Sequence, residues 1–265
     1  MNTEILGIIF MYVLVIAFAL PLGRYIGKVL NNEVTWLDKI FNPLDQLFYK
    51  LSGINFKKEM NWKQHLIALL TINFVWFLLG MFVLMNMSWL PLNPDQNPSM
   101  NAELAFNTTI SFICNTNLQH YSGETGMSYL GQLILMLFQF ISAGCGITAA
   151  AIVFTAMKEK STEKLGNFYF FFVRSCTRIL FPIAIIVASL MVFNGSPMTF
   201  EGKITTTTLE GTEQQISQGP VATFVAIKHL GTNGGGFFGP NSAHPLENPN
   251  YLTNIIEMVT QMIIP

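Results

Sequence analysis

Charged residues are scarce in this sequence of 265 residues. Asp, Glu, Lys and Arg together make up only 11% of it, whereas soluble domains usually carry about 25%. Hydrophobic residues make up 51%, and the mean hydropathy is +0.44. This composition excludes an ordinary soluble domain and predicts an all-α integral membrane protein with several spans. No cleavable signal peptide is predicted, because the first apolar run lacks a basic leader and a small-residue cleavage site.

Cysteine is equally scarce. The three cysteines, Cys114, Cys145 and Cys176, stand singly in apolar or helical contexts. Without a CxxC pair or a Cys/His spacing, the sequence predicts neither a disulfide framework nor a transition-metal site, and we expect inert, buried thiols. The glycine-rich stretch has no predicted strand before it and the sequence contains no GK[ST] element, which argues against nucleotide binding by this stretch. We expect no nucleic-acid partner.

The apolar runs have two lengths, which predict two structural roles. A helix needs about 20 residues to cross a bilayer about 30 Å thick. Four runs approach or exceed that length, whereas two runs are much shorter and suit re-entrant half-helices. The predicted spans are Ile5–Leu22, Leu66–Leu92, Tyr129–Met157 and Phe168–Phe193, and the predicted half-helices are Glu103–Cys114 and Pro220–Leu230.

Three further segments connect or follow these runs. Asn31–Lys63 carries apolar residues at helical spacing, so it is either an amphipathic helix on the membrane or a solvated loop with a short helix. Asn194–Gly219 is predicted to be a hydrophilic loop. Tyr251–Pro265 starts another span but is shorter than a bilayer requires. This last span therefore looks cut.

The basic residues are unevenly distributed along the chain. Twelve of the 14 lie in two stretches, Arg24–Lys63 and Lys158–Arg178. The positive-inside rule predicts that both stretches are cytoplasmic. The N-terminus, both half-helices and the polar turns that follow them are then expected outside the membrane.

An internal repeat organises the chain. After a leading helix and amphipathic segment in residues 1–60, the order span, polar loop, half-helix, polar turn, span occurs in 61–165 and again, incompletely, in 166–265. Thr116-Asn117 in the first turn is expected to correspond to Thr232-Asn233 in the second. Two such units are two of the four expected in a potassium-channel-like pore.

The two polar turns predict a cation-binding role. A half-helix that enters from outside points its C-terminal, partly negative end at the membrane centre. The following stretches, Asn115–Gln119 and Gly231–Gly236, are then expected to present backbone carbonyls, which favours a monovalent cation such as K⁺. Glu124 and Glu247 lie just beyond and are either charges at the mouth or surface charges. A plain flexible loop between spans is the alternative.

Two sequence stretches carry a family resemblance. GTNGGGFFGPNSAHPLENP at Gly231–Pro249 and SFICNTNLQHYSGE at Ser111–Glu124 resemble the filter loops of the potassium-binding subunits (KdpA) of bacterial Kdp potassium-transporting P-type ATPases. Glu59–Gln64 and Leu90–Pro94 resemble further family stretches. The resemblance implies a multi-pass subunit of the bacterial plasma membrane. It implies a pore of four pseudo-repeats, in which external K⁺ passes a filter and a tunnel toward a catalytic subunit.

The resemblance also implies the role of each subunit. ATP hydrolysis is expected on the catalytic P-type ATPase subunit, two small accessory subunits complete the complex, and this chain has no catalytic residues of its own. The implied K⁺ ligands are backbone carbonyls, with no covalently bound cofactor. Carried over residue by residue, the filter comprises Asn115, Thr116, Asn117 and Gln119 in the first loop, and Thr232, Asn233, Gly234, Gly235 and Gly236 in the second.

Two departures from the family stand out. Cys114 occupies a position where a threonine is expected, and the chain is about half the family length. The length departure implies a fragment, a truncated gene product or half of a split subunit. Three alternatives to ATP-driven uptake stay open: a passive potassium channel, an ion-coupled symporter on the same scaffold, and a non-transporting truncated product.

Overall fold

The structure of the chain, a computed structural model, describes residues 3–158, 163–239 and 241–265. Most of the charged loop predicted at Lys158–Lys164 lies outside the described residues. The helices are α1 Thr3–Leu30, α2 Asp38–Leu51, α3 Trp62–Leu84, α4 Ala102–Ile113, α5 Tyr129–Lys158, α6 Phe168–Arg174, α7 Phe181–Phe193, α8 Val221–Leu230 and α9 Tyr251–Met262; a π-helical segment, Ser175–Leu180, joins α6 to α7.

Four helical stretches are long and apolar enough to cross a membrane. They are Glu4–Leu30, Trp62–Leu84, Tyr129–Lys158 and the continuous helix Phe168–Phe193. The first two expose most of their apolar side chains, as expected for helices that face lipid or another chain. The chain is therefore a mostly helical integral membrane protein, as its composition predicted.

The two short helices differ in how far they are buried. In helix α8, Val221, Ala222, Phe224, Val225 and Ala226 are all 0% exposed, whereas α4 exposes Phe106. Helix α5 contacts both α4 and α8. The loops that follow the two short helices also contact each other through Asn115 and Asn233.

Side-chain caps determine where several helices begin. Asn61 caps α3 by accepting from Gln64 N–H, Asn101 caps α4, and Asn250 caps α9. The span predicted to reach Leu92 ends at Leu84 instead. Its continuation fails because the Asn86 side chain donates to the Phe82 carbonyl, which competes with the helical backbone bonds.

Part of the predicted hydrophilic loop is a β-hairpin. Strands β1, Ile204–Thr207, and β2, Glu213–Ile216, pair antiparallel with Ile204 opposite Ile216. The run of β-branched threonines favours extended backbone, and this signal was present in the sequence.

Helix α2 is amphipathic, but its acidic face packs against the molecule and its apolar face is exposed. It buries Asp38 and Asp45 against the molecule and exposes Ile40, Leu44 and Leu47. The segment Asn31–Lys63 therefore contains the amphipathic helix α2, and its position on a membrane stays a prediction. The buried carboxylates pair with two arginines on the fourth span: Arg174 Nη2 lies 3.3 Å and Arg178 Nε 2.8 Å from Asp38 Oδ1, and Arg178 Nη1 lies 2.5 Å from Asp45 Oδ2.

Candidate ion filter

The loops after α4 and α8 fold back on their helices with the same hydrogen bonds. Thr116 N and Asn117 N donate to Ser111 O at 2.8 and 3.0 Å. Asn233 N and Gly234 N donate in the same way to Lys228 O at 3.0 and 3.2 Å. The two loops therefore have equivalent backbone paths, each anchored to the last turn of a short helix.

These hydrogen bonds correct the predicted register of the repeat by one residue. The shared Thr-Asn dipeptide suggested that Thr116 corresponds to Thr232, but the bonds match Thr116 with Asn233 and Asn117 with Gly234. The dipeptide was a weak guide because backbone geometry, and not side-chain identity, determines which residues are equivalent.

Backbone dihedrals alternate along both loops. The φ angles are +59° at Asn115 and +55° at Asn117 in the first loop, and +69° at Thr232, +89° at Gly234 and +134° at Gly236 in the second. The residues between them have negative φ. Both loops therefore alternate between positive and negative φ, which is a further feature that their backbones share.

Several loop carbonyls have no hydrogen-bond donor. Within the described part of the chain, no N–H or O–H group bonds to the carbonyl oxygens of residues 115–117 or 232–235. The carbonyls that flank the second loop are occupied: Gly231 O accepts from Asn115 Nδ2 at 3.2 Å, and Gly236 O accepts from Gln119 Nε2 at 2.5 Å. Carbonyls that lack a donor within the protein are available to a ligand or to water.

The three consecutive glycines serve different purposes. A Cβ at Gly234 would meet nothing closer than 3.8 Å, so this glycine is needed for its φ and not for space. A Cβ at Gly235 would lie 2.2 Å from Ser242 Oγ, so here the need is space. Gly236 has both constraints, since its Cβ would lie 2.2 Å from Gln119 Oε1.

Side-chain amides fix the shape of the first loop through hydrogen bonds. Gln139 of α5 donates from Nε2 to Asn115 Oδ1 at 2.9 Å and accepts from Asn117 Nδ2. Asn115 Oδ1 also accepts from Ser142 Oγ at 3.0 Å and from Asn233 Nδ2 at 3.0 Å. The last bond joins the two loops directly, so the structure brings the predicted residues of both loops together.

Comparison with known proteins now gives the family. Residues 9–265 match the family model described as potassium-transporting ATPase A subunit, KdpA. The chain belongs to this family. The resemblance read from the filter loops is thus confirmed at the level of the family.

Named relatives agree with this assignment. The chain is 63% identical over 265 residues to the potassium-transporting ATPase potassium-binding subunit of Flavobacterium johnsoniae, and 54% identical over 266 residues to that of Bacteroides fragilis. All of this chain is covered in both matches, but only 46% and 47% of the relatives. A relative from Caldanaerobacter subterraneus is 46% identical, covering 96% of this chain and 46% of its own length. The chain thus spans about half the length of the curated relatives it matches.

Lys228, which sequence reasoning did not single out, lies between the two KdpA loops. Its side chain is 0% exposed, and its Nζ donates to Gln119 Oε1 at 2.9 Å. A lysine inside an otherwise apolar half-helix was the signal in the sequence, because buried lysines are rare without a specific role.

The two acidic residues beyond the loops have different environments. Glu124 is 43% exposed and lies 3.6 Å from His244 Nε2. Glu247 is 0% exposed, and its Oε1 accepts from Phe238 N–H at 2.9 Å. Burial raises the pKa of Glu247 to about 7, although hydrogen bonds from Phe238 and Phe237 and the charge of Lys228 oppose the rise. Glu247 is therefore a buried hydrogen-bond acceptor for Phe238, and it is not an exposed charge at the mouth of the second loop.

A cavity of about 330 Å³ lies at the base of the loops. Asn115, Gly231 and Thr232 line it together with small residues of α5 such as Gly146. Cys114 at the end of α4 is exposed, which corrects the expectation that all three thiols are buried; Cys145 and Cys176 are buried as expected. The described residues contain no cluster of three side chains suited to a transition metal.

Proposed function

We propose that this chain contributes two of the four filter loops of a potassium-binding subunit in an ATP-driven potassium uptake complex. The observation that carries the proposal is the set of unpaired carbonyls at residues 115–117 and 232–235. Family membership and the names of the relatives support it. Rings of carbonyls replace the hydration shell of K⁺ in known filters.

The proposed mechanism is dehydration of external K⁺ by backbone dipoles. The carbonyl oxygens of Asn115, Thr116, Asn117, Thr232 and the following residues to Gly235 would bind the ion. Helices α4 and α8 would direct their C-terminal dipole ends toward the base of the loops, which stabilises a cation there. Selectivity would arise without a carboxylate in the ion path.

Repeats and partners complete the proposal. Residues 61–165 and 166–265 would form two repeats behind the leading segment 1–60, with the filter loops outside and the stretches Arg24–Lys63 and Lys158–Arg178 in the cytoplasm. The remaining half of the pore, a catalytic subunit that hydrolyses ATP and two small accessory subunits would be needed for transport.

The test compares one substitution at two glycines with positive φ. Gly234→Asp places a carboxylate beside the unpaired carbonyls, whereas Gly211→Asp, at φ +81° with no atom near its Cβ, makes the same change in the turn of the β-hairpin. The full-length subunit in its complex is reconstituted in vesicles, and ATP-dependent K⁺ uptake is measured. We expect Gly234→Asp to raise the half-saturating K⁺ concentration by at least about tenfold, since a buried unpaired charge is costly, and Gly211→Asp to leave it unchanged.

Equal behaviour of the two variants would contradict a filter role for the second loop. The runner-up function, a passive channel or an ion-coupled symporter, predicts uptake that continues without ATP in the same vesicles. Uptake without ATP would therefore agree with the filter role but contradict the proposal that ATP hydrolysis drives uptake.

A further inference from the structure

The ammonium of Lys228 is buried between the two loops without a salt bridge in the described part of the chain. Among the described residues its conventional hydrogen bond goes to Gln119 Oε1, and its Nζ lies 5.1 Å from the centre of the Phe112 ring and 5.6 Å from that of Phe224. The two aromatic faces stabilise the cation in place of a carboxylate. Burial lowers the pKa of Lys228 to about 7 against the opposing attraction of Glu247, so the charged form predominates only below that pH.

This ammonium determines which way the Gln119 amide points. A lysine ammonium has three donors and no acceptor, so it can bond only to the carbonyl oxygen of the amide. The amide nitrogen is thereby directed away from Lys228. It donates to the Gly236 carbonyl at 2.5 Å and to Tyr121 Oη at 3.0 Å.

The orientation of Gln119 separates Gly236 from the rest of the second loop. The carbonyls of residues 232–235 have no donor in the described chain, whereas the Gly236 carbonyl is occupied by Gln119. Gly236 also packs against the pair, because a Cβ there would lie 3.0 Å from Lys228 Nζ. The line of unpaired carbonyls therefore stops at Gly235.

We propose that Lys228 is a positioning residue that, by orienting Gln119, occupies the Gly236 carbonyl and sets the outer limit of the ion-binding carbonyls. This inference rests on the proposed filter function. Lys228 does not contact the ion; it acts through Gln119. Loss of the ammonium allows the amide to rotate and frees Gly236 O, which adds a carbonyl at the outer end and alters the preference among alkali cations.

The experiment replaces Lys228 with Met in the full-length subunit, within the reconstituted complex. Met preserves most of the apolar stem and removes the charge. We expect the half-saturating K⁺ concentration to rise about tenfold, the effect of losing one hydrogen bond to a charged group, and the ratio of Rb⁺ to K⁺ transport to change. Lys63→Met is the matched control, because Lys63 also lies over an aromatic ring, 5.6 Å from the centre of Trp62, but is exposed and far from the loops.

A double-mutant cycle separates positioning from a merely structural role. If Lys228 acts through Gln119, the double variant Lys228→Met with Gln119→Leu has about the same transport ratio as either single variant. Additive effects overturn the inference, as does an unchanged Rb⁺/K⁺ ratio in Lys228→Met. Should Lys228→Met fail to assemble, Lys228→Gln is measured instead, and a wild-type ratio in that variant overturns the proposal.

Failure of the inference is distinguishable from failure of the proposed function. If the wild-type complex shows no ATP-dependent uptake of K⁺, the proposed function fails. If the wild type is selective and the Lys228 variants keep its ratio, only the role of Lys228 fails.

Discussion

Side-chain amides shape the loop after α4, whereas the loop after α8 depends also on the absence of side chains at its glycines. In the first, Asn115 and Asn117 adopt left-handed φ and bond through their amides to Gln139. In the second, Gly235 and Gly236 approach Ser242 and Gln119 so closely that no Cβ fits. The same alternating backbone is thus reached by hydrogen bonding in one loop and by close packing in the other.

The comparison predicts that added bulk damages only the second loop's packing. Gly235→Ala forces a Cβ into the position of Ser242 Oγ, which we expect to cost about 1–3 kcal/mol of stability and to abolish high-affinity uptake. Gly146→Ala is the control, because nothing lies within 4 Å of a Cβ there. Thermal unfolding of the purified complex and K⁺ uptake are the measurements; a Gly235→Ala complex with wild-type values would refute the packing account.

Removal of an amide tests the first loop in the opposite way. Gln139→Leu deletes the bonds to Asn115 and Asn117, and we expect a loss of about 1–3 kcal/mol, since buried polar partners are left unsatisfied. Gln132→Leu on the same helix removes one bond, from Nε2 to Phe237 O at 2.8 Å. The half-saturating K⁺ concentration should rise more for Gln139→Leu than for Gln132→Leu. The reverse order would show that the first loop does not depend on its amides.

A pH dependence is expected from the second loop alone. Because burial raises the pKa of Glu247 from 4.5 to about 7, its contribution to stability is present in full below pH 4.5 and is lost as pH rises toward 7. The loss is about 3 kcal/mol. Glu247→Gln keeps the acceptor for Phe238 N–H and should remove this dependence in unfolding midpoints measured at pH 5 and pH 8. Glu124→Gln, at a half-exposed site, should leave the dependence unchanged.

The smallest effect is expected when the residue type of one position in the first loop is placed at the equivalent position of the second loop. Gly234 is equivalent to Asn117, has space for a Cβ, and needs only a residue that tolerates positive φ. Gly234→Asn should cost less than about 1 kcal/mol, and Gly234→Ala about 1–2 kcal/mol, because alanine is strained in the left-handed region. Equal unfolding midpoints for the two variants would indicate that φ is not the constraint.

Much of this architecture was predictable from the sequence. The positions of the spans and half-helices follow from the lengths of the apolar runs, and the second loop follows from a glycine run at membrane depth. The register between the loops was not predictable, because it depends on backbone bonds to Ser111 and Lys228. The exact end of α3 depends on one side chain, Asn86, that competes for a backbone carbonyl.

Contacts over long sequence distances were the other limit. Gln119 and Gly236 are 117 residues apart, and Arg178 and Asp38 are 140 residues apart. Nothing in the local pattern around Lys228 or Arg178 names the partner. Only the fold brings these groups together.

Helix α2, which buries its aspartates and exposes apolar side chains, has a consequence for how the protein is made. Arg174 and Arg178 are buried near the start of the fourth span, and a buried arginine without a partner is costly. Their partners Asp38 and Asp45 precede them in the chain, so a ribosome delivers the carboxylates to the membrane before the arginines emerge. Because the aspartates are synthesised first, they are available to pair with the two arginines when the fourth span enters the membrane.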